Sequence, residues 1–188
     1  MGRLPGDVRT MRQWDLIVTI VPGPRHVRYT LAQLRRLGQF TASSFKDVCI
    51  GQVQGVSGFL ESVRAARDSG ERWAHLIARV IPVERTLTPE SLTEKIKETV
   101  TPFVEHTRSG TFHIRIERRG LAAKIATQEI ERAVADHPSN LAQAHGIQLE
   151  TDFDAPGFAI AAKTHGDHCG VALITREIST RYPFVQTR

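Results

Sequence analysis

Apolar and polar residues fall into short runs along this chain, and the period of those runs switches repeatedly between two and about 3.6. Trp14 to Val21 is a nearly continuous apolar run stopped by Pro22, Gly23 and Pro24, which predicts a strand. From His26 to Leu37 the period lengthens. Val27, Leu31, Leu34 and Leu37 share one helical face, Arg28, Arg35 and Arg36 lie off it, and Gly38 stands in the usual stop position. Residues 45–53, with Val48 and Ile50 flanking Cys49, predict a second strand. Residues 56–68, carrying Phe59, Leu60 and Val63, predict a helix closed by Ser69 and Gly70. A third strand is expected over 73–83, where Arg79 sits among apolar residues. Strand, helix, strand, helix, strand predicts an incomplete ferredoxin-like α/β unit over residues 14–85, behind a loose tail of residues 1–13 rich in Gly, Pro and Arg.

A second domain is expected over residues 86–188. Thr88 can cap a helix, Pro89 suits its first turn and Glu90 suits its positive end. Leu92, Ile96, Val100, Phe103 and Val104 then share one side, with Pro102 expected to kink or divide the helix. Phe112, Ile114 and Ile116 alternate with His113, Arg115 and Glu117, the pattern of a half-buried strand, which runs into an Arg118-Arg119-Gly120 turn. A helix follows over 125–135, then a polar loop over 136–140. Two strands, 158–162 and 170–175, read as a hairpin across residues 164–168, and residues 176–188 form a mixed tail.

Charge sharpens this picture. The 188 residues carry a formal net charge of +5, and it is unevenly placed. Residues 1–85 hold 13 Lys and Arg against 7 Asp and Glu; residues 86–188 hold 12 against 13. The excess in the first half is mostly arginine, whose planar fork suits phosphate. With 40% hydrophobic and 24% charged residues the composition is globular. No run of about 18 apolar residues predicts a membrane span, and residues 1–12 contain no apolar signal core.

Candidate chemistry is sparse. Cys49 and Cys169 are the two cysteines, so neither a disulfide framework nor a four-cysteine zinc site is available. His165, His168 and Cys169 are close in sequence, but alternate residues of a strand point to opposite faces, which separates His168 from Cys169. There is no phosphate-binding Gly-Lys loop and no dinucleotide fingerprint, so no cofactor, no metal and no catalytic set is expected. The candidates for ligand contact are Arg115, Arg118, Arg119 and Lys124. Most of these stand between a strand end and a helix start, where backbone N–H groups favour phosphate. Two other readings stay open: a small enzyme using Cys169 and a histidine, and a module whose basic half meets an acidic protein.

The Thr111–Gly120 strand and turn, the helix after it, and the strands at 158–162 and 170–175 resemble the THUMP domain, an α/β RNA-binding module of tRNA-modifying enzymes. The Ala78-Arg79-Val80-Ile81-Pro82-Val83 strand before a long helix, and the ending through Arg181, Tyr182 and Phe184, are similar to stand-alone THUMP proteins that bind tRNA for the RNA cytidine acetyltransferase. That resemblance implies a ferredoxin-like N-terminal unit followed by a THUMP domain. It also implies a tRNA-binding protein that serves a separate tRNA-modifying enzyme; the lack of any catalytic motif adds the expectation that the chain is not itself an enzyme, and two free thiols suit a reducing cytoplasm. Arg28, Arg35, Arg36 and Arg79 of the first unit would then join Arg115, Arg118, Arg119 and Lys124 on RNA. Which tRNAs bind, and in what oligomeric state, is not legible in the sequence.

Overall fold

The structure is a computed structural model and describes residues 13–83, 85–87, 92–106, 109–117, 127–165 and 168–187. The described residues fall into two compact units. One comprises the residues up to Val83 together with Arg181–Gln186, and the other lies within Glu84–Thr180.

In the first unit, strand β1 (Leu16–Ile20) is central, between β3 (Val48–Gln52) and β4 (Ile77–Pro82), with β2 (Gln39–Ala42) outside β3. All three pairings are antiparallel. With α1 (His26–Leu34) before β2 and α2 (Val56–Asp68) before β4, this is the full βαββαβ ferredoxin-like order. The strand that completes it, β2, is one the apolar pattern does not reveal. It is four residues long and only Phe40 in it is a large hydrophobic. Phe40 nonetheless fixes the packing. It lies opposite Gly51 in the ladder and stacks on Phe59 of α2 with ring centroids 5.5 Å apart. A Cβ at Gly51 would sit 2.1 Å from the Phe40 ring, so glycine is what lets the ring lie over the sheet. Leu16, next in that row, is fully buried, as are Val18, Ile20, Leu34 and Val63 of the same core.

Trp73, expected in the third strand, instead lies in a helical turn, α3 (Arg72–His75), and its indole donates to Glu71 at 2.6 Å. The strand begins at Ile77. Residues 181–186, which the sequence pattern leaves in a tail of the second domain, complete the first unit. The Val80 N–H donates to the Phe184 carbonyl at 2.8 Å, Val185 bridges Val80 in parallel, and Tyr182, Phe184 and Val185 are buried.

The second unit has a five-stranded mixed sheet in the order β5-β9-β8-β6-β7. Its strands are β5 (Arg85–Leu87), β6 (Ser109–Glu117), β7 (Gln148–Thr151), β8 (Phe158–His165) and β9 (His168–Thr175). β6 runs parallel to both β7 and β8; β8 and β9 form an antiparallel hairpin. Helices α4 (Leu92–His106) and α5 (Thr127–Ala144) cover one face, and α6 (Arg176–Arg181) follows β9. Ile96, Val100 and Val104 of α4 and Val134 and Ala142 of α5 meet Phe112, Phe158, Ile160 and Val171 of the sheet, with Phe112 and Phe158 stacked at 5.8 Å.

Both helices run through their prolines. Pro102 does not divide α4, and the expected loop at 136–140 is helix, with α5 continuing across Pro138 to Ala144. A helix loses a backbone bond at such a proline. In α5, however, Val134, Leu141 and Ala142 recur at helical spacing against the core, and Thr101 of α4 bonds His137 at 2.9 Å, so packing outweighs local preference. β7 is also absent from the sequence reading, since it is an edge strand with mostly exposed side chains.

Candidate nucleic-acid interface

In the first unit, α1 turns Thr30, Leu31 and Leu34 into the core, so Arg28 and Tyr29, and Arg35 and Arg36 just past its end, stay exposed. No Asp or Glu occurs between Arg25 and Arg36, so this outer face has no carboxylate of its own. Tyr29 is 42% exposed and the Arg72 guanidinium lies 5.9 Å from its ring centroid. Arg35 donates from Nε to the Phe40 carbonyl at 3.1 Å, and Arg36 donates from Nη1 to Gln33 Oε1, also at 3.1 Å. Arg79 stands apart from this group. It pairs with Thr19, one residue off the Val18–Val80 row, and so lies on the sheet face opposite the helices.

In the second unit, Phe112 and Ile114 of β6 face α4 and α5, which leaves His113 and Arg115 on the other face. Arg115 is half-buried and lies opposite Ala161; Lys163, two residues along β8 on the same face, is buried, as is His113. The sequence pattern puts His113 with Arg115 and Glu117 on the polar side of a half-buried strand and does not single out Lys163. Alternation reveals the face of each residue but not how deeply His113 and Lys163 are buried on it. Phe153 is 60% exposed, and its ring meets His113 edge-on at 5.0 Å. Its loop is fixed: Asp152 accepts from the N–H groups of Asp154 and Ala155, and the Gly157 N–H donates to the Thr111 carbonyl at 2.7 Å. Those two N–H groups hold the Asp152 carboxyl below the usual carboxylate range.

Arg118, Arg119 and Lys124 lie outside the described residues. His165 is paired with His168 at the end of the β8–β9 ladder; the side chains of these two and of Cys169 also lie outside the described residues. Cys49 is buried in β3, and burial pushes its thiol up to about 11 against a smaller opposing effect of the Arg35 charge, which makes it a poor nucleophile. No helix among the described residues is long and apolar enough to cross a membrane.

Fold and surface together define a two-unit α/β protein that presents arginine on exposed elements. Residues 88–173 match the family model of the THUMP domain, and the chain carries a THUMP domain over that stretch. No curated protein matches the chain.

Among the solved structures that share the fold, three serve for comparison. PH1313 from Pyrococcus horikoshii Ot3 superposes with TM-score 0.60 at 12% identity, over 85% of this chain and 54% of that one. TrmN from Thermus thermophilus gives TM-score 0.58 at 19% identity, over 91% and 48%. A 4-thiouridine synthetase, solved as an RNA complex with bound ATP, gives TM-score 0.56 at 12% identity, over 87% and 42%. The chain thus spans about half the length of these structures. The expectation that the protein is not an enzyme is corrected by this finding. It rested on the lack of a catalytic motif within these residues, yet the same fold forms less than half of a synthetase.

Proposed function

We propose that the chain binds tRNA in a tRNA-modification system, gripping the phosphate backbone with arginines from both units and holding the RNA for a base-modifying catalytic unit. The observation that carries this reading is the THUMP domain at 88–173, fused to a ferredoxin-like unit whose α1 face bears Arg28, Arg35 and Arg36 without a neighbouring acid. A 4-thiouridine synthetase of the same fold was solved with RNA, which supports the substrate class. Resemblance to the acetyltransferase adaptors makes cytidine acetylation the modification of choice.

Recognition is by shape and backbone. A-form RNA presents a major groove too deep and narrow for side chains, and only 6% of this chain is aromatic. On the second unit the contacts are Arg115 with Arg118, Arg119 and Lys124.

Salt titration of tRNA binding tests the proposal. If about four to six phosphates are neutralised, affinity falls by one to several orders of magnitude from low to moderate salt. Replacing Arg118 and Arg119 together by alanine flattens the slope of log affinity against log salt by up to about 2. Binding that ignores ionic strength, or no tRNA binding at low salt, refutes the reading. A double variant that binds like the parent removes the turn from the contact surface.

A further inference from the structure

Between the end of α1 and the start of α2 the first unit holds an open cavity of about 950 Å3. Arg35 and Arg36 line one side, Gln39 of β2 and Gln52 of β3 the floor strands, and Gln54 and Gly58 the approach to α2. No Asp or Glu is among the lining residues.

The two guanidinium groups are held differently. Arg35 uses its Nε on the Phe40 carbonyl, which orients the fork and leaves both Nη groups for a ligand. Arg36 has one Nη on Gln33 and forms no ion pair among the described residues. Two arginines with no carboxylate partner among the described residues line one cavity, the arrangement that takes a phosphate in bidentate fashion.

The volume asks for more than a phosphate, since cavities of roughly 300–1,000 Å3 hold whole small molecules. The remaining polar lining is glutamine. Each amide offers two donors and an acceptor, which can match the mixed edges of a base or sugar, and no aromatic ring lines the cavity for stacking. The α2 end adds a field of the same sign: Gly55 caps it without a side-chain bond, and its first turn holds no acid.

We propose that this cavity is a nucleotide pocket, taking one phosphorylated nucleotide unit of an RNA strand with its phosphate on Arg35 and Arg36 and its polar edges on the glutamines. The source of the nucleotide rests on the tRNA reading above; the pocket chemistry does not.

Gly58→Met is the decisive variant. Gly58 is exposed in the first turn of α2, a Cβ there meets nothing within 4 Å, and its φ is not positive. Methionine therefore enters the cavity without strain, leaves every charge in place and favours the helix. The full chain is titrated with inorganic phosphate, with cytidine and adenosine 5′-monophosphates and with tRNA, following backbone and side-chain amide resonances of Arg35, Gln52, Gln54 and Gly58. Both nucleotides are expected to shift these resonances at lower concentration than phosphate does. Gly58→Met should abolish the shifts, weaken tRNA binding by roughly tenfold, the equivalent of one charged hydrogen bond, and leave the melting temperature no lower. Arg36→Gln should weaken both ligands with less effect on the glutamine resonances.

A chain that binds tRNA yet shows no shift at these positions with either nucleotide overturns the pocket. Shifts with nucleotide but unchanged tRNA affinity in Gly58→Met overturn its assignment to RNA. A parent chain that binds no tRNA refutes the function proposed above, and the mononucleotide titration then decides the pocket alone.

Discussion

Deleting the residues after Thr180 should unfold the first unit, although the cut lies beside the second in sequence. The segment Arg181–Gln186 closes the open side of β4. It removes from water Tyr182 (6% exposed), Phe184 (2%) and Val185 (0%). Burial of a large apolar side chain contributes about 1.5–3 kcal/mol, so three of them amount to roughly 4.5–9 kcal/mol as an upper figure. The Arg67 guanidinium, which donates to the Ala74 and Ile77 carbonyls, also lies 4.9 Å from the Phe184 ring centroid and would lose that contact. Whole domains are stable by only about 5–15 kcal/mol, so the loss is most of what one small unit has.

Phe184→Ala, a milder perturbation, should cost about 3–5 kcal/mol through lost burial and the cavity left behind. Fluorescence is a selective probe, because both tryptophans of the chain, Trp14 and Trp73, are buried in the first unit. Denaturant unfolding followed at those indoles should shift to lower midpoint in the variant, and the truncated chain should lack the transition. Hydrogen exchange localises the effect: protection should fall in β1–β4 and persist in β6, β8 and β9. Unchanged tryptophan midpoints, or loss of protection confined to the second unit, would refute the view that this segment belongs to the first.

Two further outcomes follow from single contacts. Gly51→Ala should destabilise the first unit by about 1–3 kcal/mol, since its Cβ would sit 2.1 Å from the buried Phe40 ring; a thermal melt equal to the parent's would show that the ring moves freely. Cys49 makes the fold sensitive to alkali. Its thiol is raised from 9.0 to about 11 on folding, so the stability it contributes is complete below pH 9 and is lost as pH climbs toward 11, by roughly 2–3 kcal/mol. Cys49→Ala should lose less stability than the parent between pH 9 and 11, and parallel curves would remove the thiol as the cause.

The fold was legible wherever one face of an element had to be buried. Leu16 to Ile20, Phe59 to Val63 and Phe112 to Ile116 each announce their period, because a mispaired register would turn apolar side chains to water. The pattern is silent where tertiary contacts decide. β2 is held by one phenylalanine over one glycine, β7 is an exposed edge, and α5 survives Pro138 because Leu141 and Ala142 still reach the core. The tail at 181–186 has the same cause: a Tyr-Pro-Phe-Val run has no period, and its place is set by the unpaired side of a strand about 100 residues earlier.

Function divides along the same line. That the first half is basic, and that Arg28, Arg35 and Arg36 lie off the buried face of α1, follows from composition and helical spacing alone. What Arg35 and Arg36 converge on does not, because their cavity draws its other polar walls from β2, β3 and the loop before α2, and no motif spans those elements. Gly58 shows the limit. In the sequence it is one more helix-weakening residue, costing about 1 kcal/mol against alanine, whereas in the fold it lines the same cavity as Gln52, Gln54 and two arginines. A side chain at that position meets no neighbour, since nothing lies within 4 Å of its Cβ. This is why a methionine at that position separates a pocket from an accident of composition.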